Sequence, residues 1–151
     1  MAGLRITGPE GGEWLEVRPQ ICGGRRAAGY LRIIERSAQR VVVHTRYDPG
    51  LVIEKHSHLA DEVIFVLEGE IGVGDRRCAA GTALVLERGT PFGPVIAGER
   101  GAVLLEVFSG EPGHVSEDPA GFRRMLEERR IALLPEPDPS VPAQGGGAAH
   151  G

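Results

Sequence analysis

Between residues 40 and 108 the chain is interrupted by a turn signal every eight to twelve residues or so, and this cadence constrains the fold more than any other feature. Asp48-Pro49-Gly50, Glu68-Gly69, Gly74-Asp75, Ala80-Gly81, Gly89-Thr90-Pro91, Gly93-Pro94 and Gly98 supply the signals. Proline fixes φ at a corner and glycine accepts a positive one, so each group favours a reversal. The pieces between them span residues 40–47, 51–58, 62–67, 70–74, 76–78, 83–86 and 102–108. They are short and rich in β-branched or aromatic residues, which suits strands. Upstream, residues 13–17, closed by Pro19, and 30–34 read as two more strands, with a glycine-containing loop around Cys22 between them. The expectation is an all-β sandwich or small barrel.

Other segments frame that domain. Asp118-Pro119 has the form of an N-cap followed by proline at the first helical position, and Phe122, Met125 and Leu126 then share one helix face. The reading is a flexible N-terminus over 1–12, a β-barrel domain over 13–110, a helical segment over 111–134 and a disordered tail over 135–151. Pro-Glu-Pro-Asp-Pro and Gly145-Gly146-Gly147 leave the tail too little apolar surface to offset its ordering entropy, and His150 falls there. Seventeen basic residues against 21 acidic ones give a net charge of −4 with no basic block, which argues against nucleic acid. No run approaches the roughly 18 apolar residues of a bilayer span, and residues 1–12 lack the pattern of a secretion signal, so the expected location is the cytoplasm. Cys22 and Cys78 lie in no Cys-x-x-Cys pair and are expected as reduced thiols.

Chemistry concentrates in residues 50–69. On a strand, side chains two apart share a face, so His56 and His58 point the same way; on a helix they would splay apart. Glu62 begins the next apolar strand, where an antiparallel partner brings a carboxylate back toward both rings. Two neutral imidazoles and one carboxylate suit a single divalent transition metal, Fe, Mn, Zn, Ni or Cu, with coordination positions left open.

The segment resembles the first motif of the cupin superfamily, G-x5-H-x-H-x3,4-E-x6-G, which Gly50, His56, His58, Glu62 and Gly69 match in identity and spacing. The resemblance implies a jelly-roll β-barrel, the two histidines and the glutamate as metal ligands facing its interior, and a homodimer. The second motif, G-x5-P-x-G-x2-H-x3-N, is matched only at Gly81 and Gly89; Glu87, Phe92 and Ile96 replace its proline, its ligand histidine and its asparagine. Phe92 cannot bind a metal. Three arrangements follow: a metal on His56, His58 and Glu62 alone; a substitute ligand or base, for which Glu106 and His44 are the candidates within strands; or a barrel without metal. Phe92 with Tyr47, Phe65 and Phe108 would then line an apolar pocket wall. The function implied is a metal-dependent enzyme acting on an organic small molecule, as a dioxygenase or as an isomerase, cyclase or lyase. The competing function is a barrel that binds or senses a small molecule or metal without turnover.

Overall fold

The computed structural model describes residues 3–138. In chain order it contains β1 (Trp14–Cys22), β2 (Arg25–Arg36), β3 (Val41–Tyr47), β4 (Val52–Ile53), β5 (His56–Ser57), β6 (Glu62–Val73), β7 (Arg76–Ala79), β8 (Ala83–Leu86), β9 (Val95–Phe108), β10 (Val115–Ser116), α1 (Pro119–Arg129) and β11 (Ile131–Leu133). The main sheet runs β11-β1-β2-β3-β9-β6-β7, with β4 on β9 and β8 on β6, while β10 pairs with β5. All strand pairs are antiparallel, and the all-β jelly-roll architecture read from the sequence is the one observed.

Side-chain alternation sets the inside and the outside. Along the first half of β6, Glu62, Ile64 and Val66 are buried, whereas Val63, Phe65 and Leu67 are exposed. The main core joins Ile64, Val66 and Ile71 to Leu51, Ile53, Val95 and Leu104. A second cluster holds Val41, Val43, Ala60 and Phe108. Full burial of Leu51, Ile71 and Leu104 contributes roughly 1.5–3 kcal/mol each before entropy is counted.

Two expected turns are bends inside long strands. Glu68-Gly69 lies within β6 and Gly98 within β9. Gly69 has φ +68 and Gly101 φ +73. A Cβ on Gly69 would fall on the Gly101 carbonyl, and one on Gly101 on the Tyr47 carbonyl, so only glycine lets these backbones touch. The β6–β9 register slips on both sides of Gly69, which is how two long strands bend together and close the barrel.

Pro19 does not end β1 either. The strand bulges between Val17 and Gln20, with Arg18 at φ +55, and this takes Pro19 out of the ladder. Beyond the bulge, fully buried Gln20 donates from Nε2 to Val52 O at 3.1 Å and accepts from Val52 N at 2.9 Å, holding the two-residue β4 in place.

Part of the N-terminal segment contacts the barrel. Arg32 Nη1 donates to the carbonyls of Gly8, Pro9 and Gly11 at 2.9, 3.1 and 2.7 Å and ties that segment to β2. The helix starts as expected: Asp118 Oδ1 accepts from Gly121 N at 3.0 Å, and Phe122, Met125 and Leu126 are its half-buried side chains. Arg130 in the left-handed region stops it, and Ile131–Leu133 then add β11 to β1, a strand too short to be read from periodicity. Residues 139–151 of the expected tail lie outside the described residues. Both cysteines are free thiols, and no described helix is long and apolar enough to cross a membrane.

Candidate functional site

The short strand β5 carries His56, and His58 follows one residue beyond it. His56 Nδ1 donates to Glu54 O at 2.7 Å and His58 Nδ1 to Gly113 O at 2.7 Å. A carbonyl can only accept, so each ring carries a proton on Nδ1, and a neutral ring then has its lone pair on Nε2. The ring centroids are 4.9 Å apart, edge to face. Burial pushes His56 down to about 4, so it is neutral around pH 7.

Glu62 opens β6 beside this pair, with His58 Nε2 3.7 Å from its Oε1. It is 2% exposed, and neither carboxyl oxygen accepts from an N–H or hydroxyl donor. Burial first, then the charge of the neighbouring Glu106 carboxylate and a hydrogen bond shared with it, push it up to about 10. Glu106 faces the interior because β9 pairs it with Val43 on one side and Ile64 on the other, both inward positions. Its Oε2 accepts from Thr45 Oγ1 at 2.5 Å, and Thr45 is fully buried. Tyr47, two residues along β3, shares that face. Burial first, then Glu106 and Glu62, hold its hydroxyl well above the usual range, so it stays protonated.

Phe92 stands at the expected ligand position. Its backbone exchanges hydrogen bonds with His56 at 3.0 and 2.9 Å, and its ring lies 4.5 Å from His56 and 6.0 Å from His58. Phe108 is buried with its ring 5.0 Å from His58. Two expected residues are elsewhere. Phe65 is 40% exposed on the outer face, since it alternates with Ile64 and Val66, and does not line this interior. His44 also faces outward: Thr45 takes the inward position, and the His44 ring packs 5.0 Å from Trp14 with Nδ1 3.1 Å from Arg32 Nη2. It is no candidate for a base or ligand here.

A second group at the site was not anticipated. His114, in the loop before β10, stacks on His56 with centroids 4.7 Å apart and planes 21° from parallel. Its Nε2 is 2.7 Å from Glu54 Oε1 and its Nδ1 3.3 Å from Arg18 Nη2, while Glu54 Oε2 accepts from Ser116 Oγ at 2.8 Å. Burial opposes ionisation of Glu54, but these bonds and the Arg18 charge hold it below its usual value. The β5–β10 pairing brings the group together. No sequence motif marks His114.

Among the described residues no three His, Cys, Asp or Glu side chains are gathered so as to hold a metal ion. The donor set itself fits one: two imidazoles with Nε2 lone pairs available, and a buried carboxyl with both oxygens unpartnered. A recess of about 750 Å³ lies at the bend, lined by Arg46, Tyr47, Glu68, Arg77 and Arg100 among others, and includes none of the histidines. The chemistry argues for the histidine end as the site despite that volume.

No protein-family model and no curated protein matches the sequence. Solved structures do. The polyketide cyclase RemF from Streptomyces resistomycificus is 22% identical, with 83% of this chain and 96% of that one covered and a TM-score of 0.59. An RmlC-like cupin from Shewanella frigidimarina is 21% identical over 72% and 91%, with a TM-score of 0.53. KdgF from a Halomonas species is 26% identical over 55% and 79%, with a TM-score of 0.51.

Proposed function

The chain has the cupin fold, and from that premise we propose an enzyme of the isomerase, cyclase or lyase type, acting on an organic small molecule at a mononuclear metal site inside the barrel. His56 and His58, through Nε2, and Glu62 would hold one divalent transition metal. When bound, such a metal supplies a Lewis acid that polarises a substrate oxygen. The observation that carries this reading is Glu62: a carboxyl buried against the carboxylate of Glu106, with no N–H or hydroxyl donor on either oxygen, is costly to ionise unless a cation belongs there.

The chain's own residues do the rest. The carbonyls of Glu54 and Gly113 fix the ring orientations of His56 and His58. Glu106, steadied by Thr45, is the interior group suited to accept a proton from substrate, which favours acid–base chemistry over oxygenation. Protonated Tyr47 is a hydroxyl donor on the same face. Phe92 and Phe108 keep one wall apolar.

The test is elemental analysis of protein purified without added metal, repeated on His56→Ala and Glu62→Ala. About one metal per chain is expected in the wild type and background in both variants. Equal content in all three would remove the metal. The second reading, a metal-free binding barrel, is favoured by Phe92 at the ligand position and would appear as background metal throughout. A homodimer in the cytoplasm belongs to the same proposal. The free thiols suit a reducing compartment, and exposed Val63, Phe65, Leu67 and Val85 offer an outer apolar face to a second copy, which light scattering would detect.

A further inference from the structure

We infer that the mouth of this barrel receives an organic anion, with the Arg18 guanidinium, held by His114, as the group that takes its carboxylate. The inference rests on the interior site as the place of reaction, and it names the class of substrate: an organic acid that presents a carboxylate and an apolar body.

Arg18 is where β1 leaves its ladder. A non-glycine residue at φ +55 costs free energy, and a bulge re-aims the side chain it carries. The backbone N–H freed by the bulge is taken by both carboxylate oxygens of Glu136 at 3.0 Å, so the unusual conformation is held in place. The side chain then runs to the site. A guanidinium can only donate, so the 3.3 Å contact makes His114 Nδ1 the acceptor and leaves the His114 Nε2 proton for Glu54 Oε1. Ser116 occupies the other oxygen of Glu54. The chain of bonds therefore ends on Glu54 without bringing that carboxylate onto Arg18.

Among the described residues, Arg18 makes no ion pair, in contrast to Arg26, Arg36, Arg40 and Arg77. Arg32 is engaged by three carbonyls, and Arg46 lies over Trp14 and Tyr30. Arg18 instead has one imidazole as its side-chain partner, and that imidazole is stacked on His56. Its charge reaches Tyr47, Glu54 and His56. A guanidinium fork with most of its donors uncommitted matches a carboxylate, and the half-buried ring of Phe92 beside the histidines favours an apolar body behind that headgroup.

The test compares benzoate with benzamide, which has the same shape without the charge, by calorimetric titration of the full chain before and after chelation. Chelated wild-type protein should bind benzoate about tenfold more tightly than benzamide, the difference between a charge-assisted and a neutral hydrogen bond. Arg18→Gln should erase that preference, and Arg18→Lys should keep part of it. Because glycine suits φ +55, Arg18→Gly removes the guanidinium without backbone strain and should behave like Arg18→Gln. His114→Phe, which preserves the stack on His56 but not the acceptor, should weaken benzoate several-fold. No preference for benzoate in the wild type, or a preference that survives Arg18→Gln and Arg18→Gly, overturns the inference. A preference seen only with metal loaded and unaffected at Arg18 would put the anion on the metal, overturning this proposal and sparing the interior site. Conversely, a preference lost with Arg18 would uphold this proposal even if elemental analysis of the protein as purified, before any chelation, removed the metal reading.

Discussion

Two histidine–carboxylate groups lie against each other in this barrel, one ring stacked on the other, and the chain treats them in opposite ways. At the mouth, Glu54 has a partner for each oxygen and His114 one for each nitrogen. In the interior, no N–H or hydroxyl donor reaches either oxygen of Glu62, which has only the Glu106 carboxylate to share its own proton with. The mouth is a satisfied network, which rigidifies what it touches. The interior is left unsatisfied, at a cost of roughly 1–3 kcal/mol for an unpartnered buried group. Such a cost persists where a ligand or reaction needs it.

Acidity separates the two groups most strongly. In chelated protein, Glu62 has a folded value near 10 against a usual 4.5, so the folded state keeps a proton that the unfolded chain releases. That contribution is fully present below about 4.5 and is lost as pH rises toward 10, with a slope of up to about 1.4 kcal/mol per pH unit. His56 acts in the other direction: with a folded value near 4 against 6.5, its contribution is present above 6.5 and lost as pH falls to 4. Urea unfolding from pH 5 to pH 9 should therefore show stability declining on the alkaline side. Glu62→Gln should flatten that decline, whereas Glu54→Gln should not. An alkaline arm that is flat in the wild type would erase the contrast between interior and mouth.

Phe92 gives the next largest effect. It occupies the position from which a fourth ligand would reach the pair, with its backbone already bridged to His56. Phe92→His should raise metal affinity by roughly tenfold to a hundredfold in a competition titration with a chromophoric chelator. The corresponding change at the mouth, His114→Phe, adds no donor and should not raise it. Unchanged affinity in Phe92→His would mean that ring identity at this position does not limit the interior site.

How much of this was legible in the sequence follows from which signals are local. The spacing of His56, His58 and Glu62 is local, and so are the turn at Gly74-Asp75 and the Asp118-Pro119 cap. Phe65 was open to a correct reading as well: once Glu62 faces inward, residue 65 lies on the other face by parity alone. The choice between His44 and Glu106 was not available. Val41, Val42 and Val43 in β3 and Val103, Leu104 and Leu105 in β9 are apolar on both faces, so alternation carries no sign, and only the register opposite Val43 and Ile64 turns Glu106 inward. His114 and Arg18 reach the site through a two-residue strand pairing and a bulge, neither of which has a periodicity to detect. Glu68-Gly69 and Gly98 look like turns until the backbones are seen to touch at Gly69 and Gly101 inside long strands.

The smallest effect bears on how the two interior carboxyls differ from each other. Thr45 donates to Glu106 and nothing donates to Glu62, so one hydroxyl distinguishes the members of the pair. Thr45→Val preserves the shape of a fully buried side chain and removes that hydroxyl, which should cost about 1–2 kcal/mol in chelated protein near pH 7. It should also make the carboxyls more alike, so that Glu62→Gln on the Thr45→Val background removes less of the alkaline decline than it does alone. Ser116→Ala makes the same deletion at the mouth, where Glu54 retains His114. That change should cost no more than about 1 kcal/mol and leave the pH profile where it was. A Thr45→Val profile indistinguishable from that of Ser116→Ala would mean that the interior pair is as well accommodated as the mouth, and the unsatisfied carboxyl would lose its standing as the mark of a site.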